Sequence, residues 1–185
     1  KEYFKIISTR TLMKYLLTIC VSQIFHFHRH HLKKRLSLMI ENVSVCDLKM
    51  SKDLEEIENE IFTTAWPSET IKQKINNKEF KYWVYKKNDK LVAYLGVHFV
   101  NDLIEILGIG VIEEYRKNGI AGELMNELLD FFNKSSYLKI ILEVRESNDT
   151  AKNLYTKLGF NKISKRKNYY KNEDADIYLK EKVYV

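Results

Sequence analysis

The chain has 185 residues, 45% of them hydrophobic and 30% charged, which is enough for one domain with a proper hydrophobic core. Its net charge of +6 suggests a nucleic-acid partner only until the charge is located. Residues 1–38 hold eight basic side chains and one acidic side chain, a balance of +7, whereas residues 39–185 carry a balance of −1. Because residues 39–185 are nearly neutral, we expect that part of the chain to bind no nucleic acid directly.

Residues 1–38 also differ from the rest of the chain in composition, since they hold four of the five histidines and none of the six glycines. Their apolar run at 15–27 is interrupted by polar residues and is shorter than the roughly 20 residues that span a bilayer, so no membrane span is expected. A basic helix on a membrane surface and a metal-binding histidine tract stay open as alternatives. Since Met39 precedes the first strand-like run, we interpret 1–38 as upstream sequence and 39–185 as the functional domain.

The two cysteines, Cys20 and Cys46, form no C-x-x-C motif and no even disulfide framework. Such cysteine usage is typical of a reducing compartment, and we therefore expect a cytoplasmic protein. We also expect a monomer without a metal ion.

Hydrophobic periodicity along residues 39–185 predicts a chain of strands and helices. Turn residues at 88–89 and 101–102 join three strand-like runs into an antiparallel meander. Ser68 is expected to cap the second helix, and Gly159 to end the last one in a left-handed cap with Phe160 packing back. The predicted strands are 40–45, 80–86, 91–100, 103–112, 139–144, 160–166 and 175–183, and the predicted helices are 51–63, 68–76, 119–133 and 149–158. This order indicates the α/β (α+β) class.

The segment Arg116–Ala121 lies between the strand-like run 103–111 and a helix-like run that starts at Ile120. The first N–H groups of a helix have no internal partner and carry partial positive charge. Gly119 lets the backbone approach an anion closely, so the turn is predicted to bind a pyrophosphate. An ordinary helix start, with Arg116 as a solvated charge, is the alternative. A Walker loop is absent from the sequence, and only one glycine falls in register with G-x-G-x-x-G.

The remaining pattern, R-x-x-G-x-A, resembles the acetyl-CoA pyrophosphate loop of the GCN5-related N-acetyltransferases (GNAT), Q/R-x-x-G-x-G/A. The predicted order of elements, β-α-α-β-β-β-α-β-α-β-β, is also that of the GNAT fold, a mixed sheet of about seven strands flanked by about four helices. The resemblance implies acetyl-CoA as the cosubstrate, with its pantetheine arm on the backbone of Ile109 and Val111, where a bulged strand splays from its neighbour. Gly108 and Gly110 are compatible with such a bulge. The residues implied around the pyrophosphate are Arg116, Lys117, Asn118, Gly119, Ile120 and Ala121.

Four blocks after this loop resemble one branch of the superfamily, the ribosomal-protein alanine N-acetyltransferases. They are E-V-R-E-S-N at 143–148, A-K-N-L-Y-T-K-L-G-F at 151–160, K-N-Y-Y at 167–170 and E-D-A at 173–175. The segment 62–68 resembles the helix-connecting loop of the branch, although Pro67 is displaced from the usual Pro-x-x-Trp-Ser pattern. The resemblance covers about residues 40–180. It implies transfer of an acetyl group to the N-terminal amine, most simply of alanine, of a ribosomal protein.

Two residues in these blocks have the chemistry that amine acetylation needs. Glu143 ends the apolar run 140–142, and a carboxylate there can act as the mild base that an α-amino group requires. The resemblance places the general acid at Tyr155, which would donate to the leaving thiolate. The alternatives are a solvent-facing glutamate at a sheet end and a packing tyrosine. Asn148 is a candidate helix N-cap, and the resemblance adds a contact with the cofactor.

The acceptor is expected between the Trp66 loop and the segment 167–176, with Tyr169 and Tyr170 flanking its backbone. Three acids in that segment are expected to attract basic residues of the acceptor: Glu173, Asp174 and Asp176. Two alternatives stay open. One is a GNAT enzyme that acts on lysine or a small-molecule amine, and the other is a binding module with a degenerate cofactor site and a basic arm.

Overall fold

The computed structural model describes residues 39–43, 45–62 and 65–183, and the predictions made for residues 1–38 lie outside the described residues. Within these ranges the chain forms seven strands and four α-helices, as the sequence predicts, with a short 3-10 turn at Glu113–Tyr115. The strands are β1 (Ile40–Val43), β2 (Phe80–Lys87), β3 (Lys90–Val100), β4 (Leu103–Val111), β5 (Lys139–Arg145), β6 (Asn161–Tyr170) and β7 (Glu173–Glu181). The helices are α1 (Leu48–Ile61), α2 (Ser68–Ile75), α3 (Ile120–Lys134) and α4 (Asp149–Lys157).

All seven strands form one mixed sheet in the order β1-β2-β3-β4-β5-β7-β6. Strands β1 to β4 pair antiparallel, which confirms the predicted meander, and β4 and β5 form a parallel pair. Strand β7 lies between β5 and β6 and is antiparallel to both. The sheet therefore consists of two antiparallel parts, β1 to β4 and β5-β7-β6, which are joined by the parallel pair of β4 and β5.

Strands β4 and β5 diverge soon after they meet. Their ladder runs from Leu103 opposite Lys139 to Ile106 opposite Leu142, and no later pair is formed. A register shift against β3 leaves Leu107 as an extra residue beside Gly108, which is the bulge predicted there. From Leu107 onward β4 keeps β3 on one side and separates from β5 on the other, so a gap opens between the two strands.

Helices cover the sheet on both faces, because neighbouring side chains on a strand point to opposite sides. On one face, a Cβ atom at Gly110 would touch Ile61 of α1 and the ring of Tyr94. On the other face, Trp83 packs edge-on against Phe131 of α3, with ring centroids 5.8 Å apart. The predicted apolar side of α3 is confirmed, since four residues at helical spacing are buried: Ile120, Leu124, Leu128 and Phe132.

Three local predictions are wrong, each for a physical reason. Helix α1 begins three residues early, at Leu48, because the Asp47 side chain accepts a hydrogen bond from the Met50 N–H at 2.7 Å and caps it. Ser68 does not cap α2; Pro67 occupies the N-cap position and makes no side-chain bond. Strand β6 continues to Tyr170 instead of ending at residue 166. The sequence does not show this, because β6 is an edge strand whose residues up to Tyr169 are all exposed and carry no hydrophobic alternation.

The predicted end of α4 is confirmed. Gly159 has a φ of +81°, in the left-handed region that glycine adopts without strain. The Phe160 N–H donates to the Tyr155 carbonyl at 3.0 Å, and the Phe160 ring packs against that of Tyr155. This cap fixes the start of β6 beside the end of the helix.

Candidate active site

A cavity of about 290 Å³ lies on the α1–α2 face of the sheet, where β4 leaves β5. Four of the residues predicted for the active site line it together: Trp66 from the connection between α1 and α2, Glu143 from β5, and Tyr169 and Tyr170 from β6. Its inner wall, which the sequence did not predict, consists of Glu58, Phe62, Tyr82, Tyr94, Gly96 and Gly108. The remaining lining comes from 105–107 on β4.

Glu143 is the first residue of β5 beyond its ladder with β4, so its carboxylate stands at the opening of the gap. The side chain is 24% exposed, and its Oε1 accepts a hydrogen bond from Arg166 Nη1 at 2.8 Å. Hydrogen bonding to the same carboxylate raises the pKa of Tyr169 to about 12. The Tyr170 hydroxyl donates to the Glu143 backbone carbonyl at 3.4 Å. Glu143 is thus neither isolated in apolar surroundings nor free in solvent, because β6 surrounds it with donors.

Tyr155 does not line the cavity. It is 5% exposed, and its ring centroid lies 5.9 Å from that of Phe160 and 6.2 Å from that of Tyr178. Burial raises its pKa far above the ordinary tyrosine value, with a smaller contribution from Tyr170. The phenol therefore keeps its proton at neutral pH, which is the state that a proton donor needs. Packing accounts for its position, and a chemical role for it remains a proposal.

The turn before α3 has the form of an anion-binding site. Residues 116–119 are exposed, and the backbone is left-handed at Lys117 (φ +61°) and Gly119 (φ +83°). Gly119 occupies the N-cap position, and no side chain of the described residues caps the helix there. A Cβ atom on Gly119 would meet no described atom within 4 Å, so the space beside this glycine is open. Asn118 Nδ2 stabilises the turn by donating to the carbonyls of Tyr115 and Arg116, both at 3.2 Å.

The other residues predicted to contact the cofactor differ in their exposure and in their hydrogen bonds. Arg116 Nε donates to the Val111 carbonyl at 3.0 Å, so that carbonyl already has a partner within the chain. Ile120 is buried, and Ala121 and Ile109 are partly exposed. Asn148 is the N-cap of α4, since its Oδ1 accepts from the Ala151 N–H at 3.1 Å. Among the described residues, no cluster could hold a metal ion.

The sequence analysis also missed two charged side chains, Glu58 in the cavity wall and Arg166 beside the Glu143 carboxylate. Glu58 is 6% exposed; its Oε1 accepts from the Tyr94 hydroxyl at 2.9 Å and its Oε2 from the Trp66 N–H at 2.7 Å. Burial raises its pKa. A signal was present, because Glu58 falls four residues after Leu54 on the apolar stripe of α1. Arg166 had no such signal, since it is one of several basic residues on an exposed strand.

The three acids of the β6–β7 hairpin serve the fold. Asp176 is 2% exposed and lies 2.6 Å from Lys162 Nζ, so the prediction that it attracts the acceptor is wrong. Glu173 accepts from the Ser147 N–H at 2.6 Å, and hydrogen bonds from Ser147 hold its pKa below the ordinary value. Asp174 accepts from the Asn168 N–H at 3.0 Å. These bonds fix the hairpin that carries Tyr169 and Tyr170.

The part of the sequence that forms this turn and strand gap matches the family described as Acetyltransferase (GNAT) family. The model of that family matches residues 51–160 of the chain. The chain belongs to this GNAT family. The matched range contains the turn before α3, Glu58, Glu143 and Tyr155.

Several proteins resemble the chain over about two thirds to three quarters of its length. It is 30% identical over 139 residues to a protein of Haemophilus ducreyi named [ribosomal protein bS18]-alanine N-acetyltransferase, covering 74% of this chain and 92% of that protein. It is 34% identical over 130 residues to an uncharacterised protein of Mycobacterium leprae, of which it spans about a third (35%), with 67% of this chain covered. The crystal structure of the ribosomal-protein-S18-alanine N-acetyltransferase from Escherichia coli superposes with a TM-score of 0.68 at 28% identity, covering 76% of this chain and 92% of that one. None of the helices in the described ranges is long and apolar enough to cross a membrane.

Proposed function

We propose that this GNAT enzyme transfers acetyl from acetyl-CoA to the N-terminal α-amine of a ribosomal protein, with a small first residue such as alanine. The observation that carries the proposal is the position of Glu143, at the strand gap and inside a cavity bounded by the Trp66 loop and the Tyr169–Tyr170 hairpin. The names of the Haemophilus ducreyi and Escherichia coli proteins support this choice of acceptor. An acceptor of this kind implies that the enzyme works in the cytoplasm, and a single chain contains every residue that the proposal uses.

The residues present fit acetyl-CoA as the cosubstrate. The exposed backbone of 116–119 and the uncapped start of α3 offer N–H groups to a pyrophosphate, and Arg116 and Lys117 add positive charge. Among the described residues, no strand pairs with β4 on the β5 side beyond Leu107, so the backbone there can bond an extended pantetheine arm. We assign the cofactor contacts to this edge and turn, with Asn148 at the start of α4 as a further contact.

When bound, acetyl-CoA supplies an activated acetyl thioester. The amine nitrogen forms a bond to the acetyl carbon while the carbon–sulfur bond breaks. Glu143 accepts the proton that the amine releases, directly or through one water, and Arg166 and Tyr169 hold its carboxylate toward the gap. Tyr155 donates its proton to the departing sulfur and regains one from solvent. A tyrosine phenol is protonated at neutral pH, so Tyr155 carries the proton that this step needs.

The acceptor peptide is held from two sides of the cavity. Trp66 is fixed by Glu58 on one side, and Tyr169 and Tyr170 form an edge-to-face pair 5.0 Å apart on the other. Arg145 lies 4.2 Å from the centre of the Tyr170 ring, which immobilises that tyrosine. Aromatic side chains thus lie on both sides of the space for an extended acceptor peptide, whose N-terminal amine reaches Glu143.

A peptide panel tests this function. A basic peptide with a free N-terminal alanine should be acetylated much faster than the same peptide with a blocked N-terminus and a free lysine, because only the first presents an unhindered α-amine of pKa about 7.7–8.0 to a mild base. A polyamine serves as the small-molecule arm. Equal rates on the two peptides, or a preference for the polyamine, would assign the enzyme to lysine or small-molecule acetylation.

A further inference from the structure

The floor of the cavity is a row of three residues across three strands. Tyr82 of β2 pairs with Gly96 of β3, and Gly96 pairs with Gly108 of β4. A Cβ atom on Gly96 would lie 2.8 Å from Cε1 and 3.0 Å from Cζ of Tyr82, so the hydroxyl-bearing end of that ring lies over Gly96. The phenol therefore points along the row toward Gly108, beside the bulge where β4 leaves β5.

Two tyrosine hydroxyls lie along this floor, and only one of them has a hydrogen-bond partner among the described residues. The Tyr94 hydroxyl, which approaches Gly108, donates to Glu58 at 2.9 Å, and the second oxygen of Glu58 accepts from the Trp66 N–H. The Tyr82 hydroxyl is buried, its residue being 1% exposed, and it has no hydrogen-bond partner among the described residues. A buried hydroxyl without a partner is unfavourable, so a group that satisfies it gains affinity.

We propose that Tyr82 is a specificity-determining residue that contacts the side chain of the acceptor's first residue and favours a hydroxyl there. This inference rests on the proposed function, because it names which α-amines the same cavity prefers. With the acceptor amine at Glu143, its first side chain lies beside Gly108 and faces the Tyr82 ring that covers Gly96, and a serine or threonine hydroxyl exchanges a hydrogen bond with Tyr82. Alanine is accepted without that bond, and serine is the better substrate.

The same floor limits the length of the first side chain. A Cβ atom on Gly108 would come within 3.2 Å of the Tyr94 hydroxyl and 3.7 Å of the Phe62 ring, so the space above this glycine is narrow. Because Glu58 holds both Tyr94 and the Trp66 loop, these walls do not retreat easily. Short side chains are therefore accepted, and long or aromatic ones are excluded.

Four peptides that differ only in their first residue test the inference: Ala, Ser, Val and Thr. The pairs Ala/Ser and Val/Thr each isolate one hydroxyl at nearly constant size. With the full chain and acetyl-CoA at a fixed concentration, kcat/KM should be about two- to tenfold higher for Ser than for Ala and for Thr than for Val, the effect of one neutral hydrogen bond. Ratios of one in the unmodified enzyme would overturn the inference without any variant.

The variant Tyr82→Phe removes the hydroxyl and keeps the ring over Gly96. Both ratios should fall to about one. Tyr137→Phe is the matched control, because Tyr137 stacks on Phe99 at 4.9 Å, outside the cavity lining, and should keep the ratios of the unmodified enzyme. Ratios that survive Tyr82→Phe would assign the selectivity to another group. Acetylation of none of the four peptides would contradict the proposed function itself, whereas acetylation of all four without hydroxyl preference contradicts this inference alone.

Discussion

Replacing Glu58 by alanine should destabilise the protein and loosen the acceptor side of the cavity. The substitution strands two donors, the Trp66 N–H at 2.7 Å and the Tyr94 hydroxyl at 2.9 Å, at a position that is 6% exposed. Each stranded donor costs about 1–3 kcal/mol, and the loss of a desolvated carboxylate returns part of that. We expect a net loss of about 2–4 kcal/mol, or about 6–12 °C in Tm for a chain of this size.

The loss of stability caused by Glu58→Ala should also depend on pH. Burial raises the pKa of Glu58 in the folded state above its unfolded value, so the folded protein binds the proton more tightly. The contribution of Glu58 to stability is then fully present below the unfolded pKa, near 4.3, and declines as pH rises through the folded pKa. The difference in Tm between the unmodified protein and Glu58→Ala should therefore be larger at pH 4 than at pH 7.

Thermal unfolding followed by circular dichroism measures both effects. Glu56→Ala is the matched control, because Glu56 is an exposed glutamate on the same helix and its removal should change the free energy of unfolding by no more than about 0.5 kcal/mol. Peptide KM should rise in Glu58→Ala while acetyl-CoA affinity changes little. A loss below about 1 kcal/mol, or a penalty that grows from pH 4 to pH 7, would refute the reasoning.

Three further predictions concern the cofactor turn, the catalytic pair and the N-terminal segment. Gly119→Val should weaken acetyl-CoA binding strongly in a calorimetric titration, since it puts a branched side chain in the open space at a φ of +83°, whereas Gly122→Ala should not; unchanged affinity in a folded Gly119→Val variant would place the pyrophosphate elsewhere. Glu143→Gln should lower kcat about 10²–10⁴-fold, and Tyr155→Phe should slow transfer while leaving acetyl-CoA binding intact; smaller losses in both would leave them as packing residues. A protein starting at Met39 should unfold cooperatively and acetylate as well as the long form; loss of cooperative unfolding would show that residues 1–38 are structural.

Much of the fold could be predicted because its signals are local. The turn at Asn88–Asp89 has positive φ at both residues (50° and 61°), which is the geometry that tight antiparallel hairpins require and that these residue types tolerate. The buried stripe of α3 and the left-handed cap at Gly159 depend equally on near neighbours in sequence. Strand β6 had no such signal, because an exposed edge strand has no buried face to impose alternation.

The candidate site was predictable only in part. Trp66, Glu143, Tyr169 and Tyr170 were found because they lie in blocks that resemble a known branch, and the structure brings all four to one cavity. The row from Tyr82 through Gly96 to Gly108 depends on strand register, which no local spacing specifies. The acids of the β6–β7 hairpin form hydrogen bonds and ion pairs within the protein, and a sequence does not reveal which acids have such partners.

The central claim is that the acceptor is the N-terminal α-amine of a ribosomal protein. The most direct measurement is mass spectrometry of a mixture of ribosomal proteins with free N-termini, incubated with the full chain and acetyl-CoA and compared with the Glu143→Gln variant. The account predicts one acetyl group on the N-terminal residue of a specific ribosomal protein, alanine or serine, that is strongly reduced with the variant. Acetyl groups found only on lysine side chains, or equal labelling by the variant, would contradict it.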